Sequence, residues 1–398
     1  MKILWFVSTF EDTNFLKEFA RNFEGVIDVF HLNVLTRLGL LGSAFIHFYP
    51  VGGRRSTVSG VDLNKSFNVL AGRLNKRDAM LAYASTLNVL NKNKESLKDA
   101  VFIIPSGRHV HHMAAREFAS KHGLKSIYIN YSNFPGYTFF DPSGTDCLSS
   151  IYKDPARIDR LYPKPIDSRE IFDKFSKLKE CQVAIPQAPK SGGGEKLKHM
   201  AFFLDTFIQK LSGFYGDRRI DFSSDKKKRE VDIKYDDTTN ESSYFFFPLQ
   251  VSTDQQVLVN YNGGSIFKAI DQAIGVAEEA KRLLFVREHP AESMKDDVRS
   301  YLIKKRLECK CLRIVDASVH ELIEGSEKVV TINSTVGLES RLKSKEVIFL
   351  GRSFYEKSSD QQLAKYLEKY FVAVDYHKPK LDREKVEKIL MYSEYEKS

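Results

Sequence analysis

Five short segments combine residue types that can do chemistry, and each follows an apolar run. The first is Pro248-Leu249-Gln250-Val251-Ser252-Thr253-Asp254-Gln255-Gln256, just past Tyr244–Phe247. A carboxylate at such a position can act as nucleophile or base, with Asp254 in that role and Gln250 orienting the reacting group. The plainer use of Asp254 is to cap the residues that follow it. The second segment is Arg287-Glu288-His289-Pro290. Pro290 stops the preceding strand and fixes a turn, which sets His289 at the strand end, where an imidazole can donate to a phosphate or carboxylate. A surface imidazole bonded to backbone is the plainer use of a lone His.

The third segment, Val329–Glu339 (VVTINSTVGLE), runs from a buried strand through Asn333-Ser334-Thr335 into a helix. With Ser334 or Thr335 at the N-cap, backbone N–H groups point outward as an anion site. Gly337 permits close approach of a ligand or the sheet, and Glu339 sits one turn in, where it can bind ribose hydroxyls. The alternative is an ordinary capping box, but Thr335 and Glu339 are four apart rather than three. The fourth segment is Ser106-Gly107-Arg108-His109-Val110-His111-His112. Arg108 can grip a carboxylate bidentately. The three histidines lack a nearby acid and make a poor metal-ligand set. The fifth, Asn130–Asp146, is a long aromatic stretch punctuated by Gly and Pro, a loop of the kind that is uncommon unless functional.

Alternating strands and helices must position these segments. Apolar runs at Lys2–Ser8, Gly25–Leu32, Ala100–Pro105 and Ser126–Ile129 read as strands of a first sheet, with helices over Thr13–Phe23, Asp78–Asn91 and His111–His122. Polar, charged stretches at Lys190–Glu195 and Ser223–Asn240 read as loops or a linker. The pattern then restarts with strands at Tyr244–Pro248, Leu283–Arg287, Leu312–Val315, Val329–Ile332 and Glu346–Leu350. Helices are expected over Ile266–Arg282, Asp296–Lys305, Val319–Glu324, Thr335–Lys343, Gln361–Lys369 and Arg383–Tyr395. Such alternation argues for an α/β protein with two Rossmann-like domains, 1–240 and 241–398. Ligands of such sheets bind at the carboxyl ends of the strands, here a cleft between facing domains.

Composition bounds the function. The chain has 398 residues, 42% hydrophobic and 28% charged, which excludes a wholly disordered or fibrous protein. Four Cys with no C-x-x-C pair exclude a disulfide scaffold and argue against structural zinc. No apolar stretch reaches the roughly 18–20 residues that span a bilayer. Met1–Ser8 is followed by Glu11-Asp12 rather than a cleavage site, so it reads as a buried strand of a cytoplasmic protein. The net charge of +9 suits an anionic partner: nucleotide, anionic lipid or nucleic acid. The basic run Lys226–Arg229 is isolated in a polar loop, so nucleic acid is not expected. Gly39–Pro50, followed by Gly52-Gly53-Arg54-Arg55, is a candidate surface for peripheral attachment to anionic lipid at the inner face of a membrane. A buried strand and surface turn are the alternative.

Taken in order, F-F-P-L-Q-V-x-x-D-x-Q, H-P and T-I-N-S-T-V-G-L-E resemble the capsule polysaccharide synthesis family of β-Kdo glycosyltransferases. The segment N-F-P-G-Y-T-F-F-D-P-S-G-T-D is similar to a loop of that family, and the resemblance covers roughly residues 100–355. It implies a GT-B fold, a CMP-Kdo donor, a glycan or glycolipid acceptor, transfer with retention, and no metal or other cofactor. It also implies roles: Asp254 as the carboxylate at the anomeric carbon, with Gln250 beside it. His289 and Pro290 would lie at the donor phosphate, and Asn333, Ser334 and Thr335 would hold phosphate at the helix terminus. Glu339 would bind ribose or base, and Arg108 the Kdo carboxylate. Asn130 stands where the family tends to carry an acid, which passes a general acid/base role to Asp141 or Asp146. Other transferases of the same fold, using CMP-sialic acid, CDP-glycerol or a UDP-sugar, stay open, as does a non-catalytic binding module of capsule export.

Overall fold

The computed structural model describes residues 1–51, 61–180, 204–205, 207–209, 211, 213–217, 231–238, 243–292 and 294–395. The expected loops at Lys190–Glu195 and Lys226–Arg229, most of the expected linker Ser223–Asn240, and the turn Gly52–Arg55 lie outside the described residues. The chain forms two compact units. One comprises Met1–Ile166, Lys190–Asp221 and Ser359–Ser398; the other comprises Asp167–Pro189 and Phe222–Ser358. The chain thus crosses between units more than once, in place of the single boundary expected at 240–241, and its last forty residues return to the first unit.

The first unit is built on a sheet of β1 (Lys2–Val7), β2 (Val26–His31), β3 (Ile46–Phe48), β4 (Ala100–Pro105), β5 (Ser126–Tyr131) and β6 (Thr138–Asp141). Its spatial order is β3-β2-β1-β4-β5-β6, parallel except for the antiparallel β5–β6 pair. Period-two alternation puts side chains on both covered faces, which explains why β1 is apolar from Ile3 to Val7. Leu4 and Phe6 pack on one face with Phe30 and Phe102, while Trp5 meets Phe15 and Phe19 of the helix Phe10–Arg21 on the other.

The second unit repeats the design with β7 (Tyr244–Pro248), β8 (Leu283–Arg287), β9 (Leu312–Ile314), β10 (Lys328–Thr331) and β11 (Glu346–Phe349). The order is β11-β10-β7-β8-β9, all parallel. Phe245 and Phe247 enter one core cluster, and Tyr244 and Phe246 the other, where Tyr244 stacks on Phe285 with ring centroids 4.0 Å apart. Both units are therefore Rossmann-like. In each sheet the strand order reverses once, between β1 and β4 and between β7 and β10. These are the places where such sheets open a crevice at their carboxyl ends.

Strand β6 was not expected, because it lies inside the segment read as a long loop. Its pairing depends on residues far away in sequence. Thr138 and Val372 exchange backbone hydrogen bonds of 2.9 and 3.0 Å. The Thr138 hydroxyl donates to the Val374 carbonyl at 2.7 Å, and Tyr370 Oη donates to Asp141 Oδ2 at 2.9 Å. The C-terminal segment thus covers the edge of the first sheet, an edge otherwise left with open backbone groups. Tyr370→Phe should lower the stability of the first unit by about 1–3 kcal/mol, because a buried acceptor loses its donor. Trp5, the only Trp of the chain and buried in that unit, reports the change by its fluorescence during urea unfolding. An unchanged midpoint would show that the segment is not anchored there.

Candidate active site

The structure gathers most of the candidate residues at the carboxyl edge of the second sheet. Three loops meet there, following the neighbouring strands β10, β7 and β8. Gln250, buried after β7, lies 3.4 Å by its Nε2 from Asn333 Oδ1, and its Oε1 accepts from the Asn333 backbone N–H at 3.3 Å. Asn333 Nδ2 donates to Gln256 Oε1 at 2.7 Å and to the Arg352 carbonyl at 3.3 Å. Asn260 Nδ2 donates to the same Gln256 oxygen at 2.6 Å. Tyr355 Oη donates to the Asn333 carbonyl, and Arg352 reaches back to the carbonyls of Val259 and Asn260. A buried amide costs free energy unless both its ends are paired, so this closed set fixes the β7 and β10 loops against one another. The third loop is tied in by Glu292, which accepts from the Ser252 backbone N–H at 2.8 Å and from its hydroxyl at 2.6 Å.

Asp254 caps the short helix Gln255–Leu258, its Oδ1 accepting from the Gln256 N–H at 2.8 Å. This is its plainer use, and it also fixes where the half-buried carboxylate sits. His289 follows β8 and is half-buried, with Pro290 exposed beside it. Its Nδ1 accepts from the Ala291 N–H at 3.1 Å, so the proton of the neutral ring resides on Nε2. Burial holds the imidazole below its ordinary pKa, with Glu292 opposing and Arg287 assisting. At neutral pH the site therefore presents a neutral N–H donor.

The helix Thr335–Leu342 begins at Ser334, whose side chain makes no capping bond to it. The Ser334 hydroxyl instead pairs with Thr331 Oγ1 at 2.9 Å. Gly337 is required by packing: a Cβ there would lie 2.7 Å from Thr331 Cγ2 and 2.9 Å from the Phe349 ring. The helix consequently lies close against β10 and β11. One turn in, Glu339 pairs with Lys179 of the helix Ser168–Glu180, Nζ to Oε1 3.5 Å.

Three candidates lie in the first unit, in two loops that touch. Arg108 is buried after β4 and donates by Nη2 to the Thr145 carbonyl at 3.1 Å, with Cys147 Sγ at 3.4 Å. Its buried Nε has no hydrogen-bond partner among the described residues. Asp146, half-buried, adopts a positive φ of 50° beside it. Asp141 does not fit the acid/base role expected of it. It is fully buried, and its oxygens accept from the backbone N–H groups of Ser143, Gly144 and Ser150, the Ser150 hydroxyl and Tyr370. Burial raises its pKa against those hydrogen bonds. Its work is to shape the turn after β6. Among the described residues, no three His, Cys, Asp or Glu side chains cluster as metal ligands.

Sequence reasoning missed Asn260, Arg352, Tyr355, Glu292 and Lys179. Only Arg352, shortly after the last strand of the second unit, carried a positional signal; Glu292, Tyr355 and Lys179 act through contacts distant in sequence, and Asn260 through Gln256, four positions before it.

Residues 207–369 match the family model described as capsule polysaccharide biosynthesis protein. The match covers less than half of the chain. It includes Gln250, Asp254, His289, Asn333, Ser334, Thr335 and Glu339, and leaves out Arg108, Asp141 and Asp146. Protein FixF of Sinorhizobium fredii is 32% identical over 136 residues, which span 33% of this chain and 31% of that protein. The match thus covers about a third of FixF. Among solved structures, the Thermosulfurimonas dismutans KpsC β-Kdo 2,7 transferase aligns over all of both chains with 12% identity and a TM-score of 0.41. The β-Kdo 2,4 transferase of the same KpsC aligns over 74% of this chain and 87% of its own, with 13% identity and a TM-score of 0.39.

The Lys179–Glu339 pair gives a pH test. Burial raises the Glu339 pKa and Lys179 holds it down. A raised acid pKa means that stability from the protonated form is complete below the ordinary glutamate range and is lost as pH rises through the folded value. Lys179→Met should move the Glu339 titration further up, read by carboxyl carbon NMR. An unmoved titration would show that the pair does not form.

Proposed function

We propose that this chain is a glycosyltransferase of capsule or lipopolysaccharide synthesis that transfers Kdo from CMP-Kdo to a glycan or glycolipid acceptor with retention. The observation that carries this reading is the closed amide set joining the β7 and β10 loops, within the segment that matches the capsule polysaccharide biosynthesis family model. Asp254, His289 and the N-terminus of the helix Thr335–Leu342 follow the neighbouring strands β7, β8 and β10, which supports this reading. When a nucleotide leaves, negative charge builds on its phosphate. The His289 Nε2–H and the first turn of the helix Thr335–Leu342 are suited to stabilise that charge. Asp254 is the carboxylate assigned to the anomeric carbon, where retention by two displacements needs a nucleophile. Gln250 steadies the loop that carries it, and Glu339, once released from Lys179, takes ribose hydroxyls. Arg108 is assigned to the Kdo carboxylate, and Asp146 replaces Asp141 as the candidate acid/base.

The deciding experiment incubates the protein with CMP-Kdo and synthetic glycan acceptors and identifies the product. Transfer from CMP-sialic acid, CDP-glycerol or a UDP-sugar in place of CMP-Kdo would assign the other donor, and CMP binding without turnover of any donor would favour a non-catalytic module. Asp254→Asn should lower transfer by about a thousandfold or more while CMP affinity holds. His289→Ala should instead weaken CMP binding by about 1–3 kcal/mol in calorimetry. The reverse pattern would exchange the two roles.

Metal independence is part of the proposal, since phosphate charge is met by the imidazole and the helix terminus. Transfer should persist in EDTA. A strict requirement for Mg²⁺ or Mn²⁺ would overturn this mechanism.

A further inference from the structure

The groups assigned to the donor phosphate lack a full positive charge. A helix terminus contributes about half a charge, and the His289 ring is neutral. Yet the phosphate gains charge during transfer. In the transferase reading, Asp254 forms a bond to the anomeric carbon as the bond from that carbon to the phosphate oxygen breaks. The electron pair stays on the phosphate, whose one negative charge becomes two. A fixed cation beside it favours that change.

Arg287, the last residue of β8 and half-buried, is a cation of this kind. Its Nε donates to the Ala317 carbonyl at 2.8 Å. Among the described residues it pairs with no carboxylate, and neither Nη group has a partner. The acids next to it in sequence are engaged elsewhere. Glu288 is held by Arg299, Nε to Oε1 2.9 Å and Nη2 to Oε2 3.2 Å, and by the Tyr235 hydroxyl at 2.7 Å. Glu292 accepts from Ser252 and from the Met294 N–H at 2.7 Å. A guanidinium drawn partly out of water without an acid costs free energy, which an anionic ligand restores.

Alternation along β8 fixes the face on which Arg287 stands. Leu284 and Val286 enter one core cluster with Val298 and Leu302 of the helix Lys295–Glu308, and Glu288 continues that side toward Arg299 of the same helix. Phe285 lies on the other face with Phe246 and Val329, and Arg287 continues that row. The Ala317 anchor agrees, because the helix Val319–Gly325 just after it packs on this face. Phe246 stands opposite both Phe285 and Val329, and Pro248 opposite Arg287. Two residues beyond Val329, Thr331 falls level with Pro248 on the same face, and its Oγ1 holds Ser334, the N-cap of the helix Thr335–Leu342. Arg287 and that helix terminus therefore flank the end of β7, two strand spacings or about 10 Å apart at the backbone. Pro248 between them has no polar side chain to occupy either. His289 lies two residues beyond Arg287, near enough for the guanidinium to disfavour a second charge on its ring.

We propose that Arg287 binds the phosphate of the nucleotide donor, together with the His289 Nε2–H and the terminus of the helix Thr335–Leu342, and supplies the full charge that stabilises the departing nucleotide. The inference rests on the transferase reading for its nucleotide, though not for the sugar.

Calorimetry with CMP, and with cytidine, which lacks the phosphate, tests it. Arg287→Met should weaken CMP binding by about tenfold or more and leave cytidine within about twofold. Arg287→Lys should keep part of the CMP affinity, since the charge remains while the fork geometry is lost. Equal losses for CMP and cytidine, or wild-type CMP affinity in a folded Arg287→Met variant, would overturn the proposal and leave the donor reading standing. The wild-type chain gives a second readout that needs no variant to fold. Phenylglyoxal modifies accessible guanidinium groups, and mass spectrometry follows the peptide that contains Arg287. CMP at about ten times its Kd should slow modification there by about tenfold, whereas cytidine at equal saturation should not. Equal protection by both, or none by bound CMP, overturns the proposal. If CMP does not bind the wild-type chain, inorganic phosphate replaces it in the same measurement. Protection of Arg287 by phosphate then keeps the anion site and rejects the CMP donor, and no protection rejects both.

Discussion

Strands buried on both faces govern where chemistry can occur in this protein. β1, β4, β7 and β8 expose almost no side chain to water, so a polar group in mid-strand would lose its hydration without a partner. Polar residues are therefore pushed to the strand ends. There, helix termini and turn backbones supply the missing hydrogen bonds. The order of the strands then selects which ends matter. Where successive connections leave in opposite directions, between β7 and β10, no crossover helix fills the space above the sheet. Gln250 and Asn333 occupy the two loops at that position.

That arrangement explains why amides join the β7 and β10 loops. A carboxylate buried at the same place would need a cation to stay ionised, and the pair would hold its own charges rather than wait for a ligand's. Gln250, Gln256, Asn260 and Asn333 pair among themselves at no net charge. Neutral imidazole fits the same logic. Burial beside the Arg287 guanidinium disfavours a cation, and the contact from Ala291 N–H fixes which nitrogen carries the proton.

Much of this was readable from the sequence because parallel strands leave a strong local signature. Ala100–Pro105, Tyr244–Pro248 and Leu283–Arg287 were located to the residue, since an apolar run bounded by turn residues leaves little freedom. The segments that follow them were recognised for the same reason. β3 and β6 left weaker traces. β3 has three residues at a sheet edge, and β6 lies between Gly and Pro residues that read as loop. β6 is paired in part by Val372, more than two hundred positions away. Asp141 shows the limit most plainly. Its type and its place in a Gly/Pro-rich segment suggested catalysis, whereas Ser150 and Tyr370, which claim its oxygens, could be known only from the fold. The C-terminal helix Arg383–Met391 was also foreseen, but its amphipathic pattern says that it packs and not which sheet it packs against.

The return of Ser359–Ser398 to the first unit has a consequence for chain entropy. Phe222–Ser358 is held at both ends by segments of the first unit. If this portion melted while the first unit stayed folded, it would become a closed loop of more than a hundred residues rather than a free tail. A closed loop gains less disorder than a free tail, by an amount that grows only as the logarithm of its length. The native order of the second sheet is thus favoured by the way the chain is threaded, quite apart from its contacts. Severing the chain near residue 358 would forfeit that advantage even with every side chain still present.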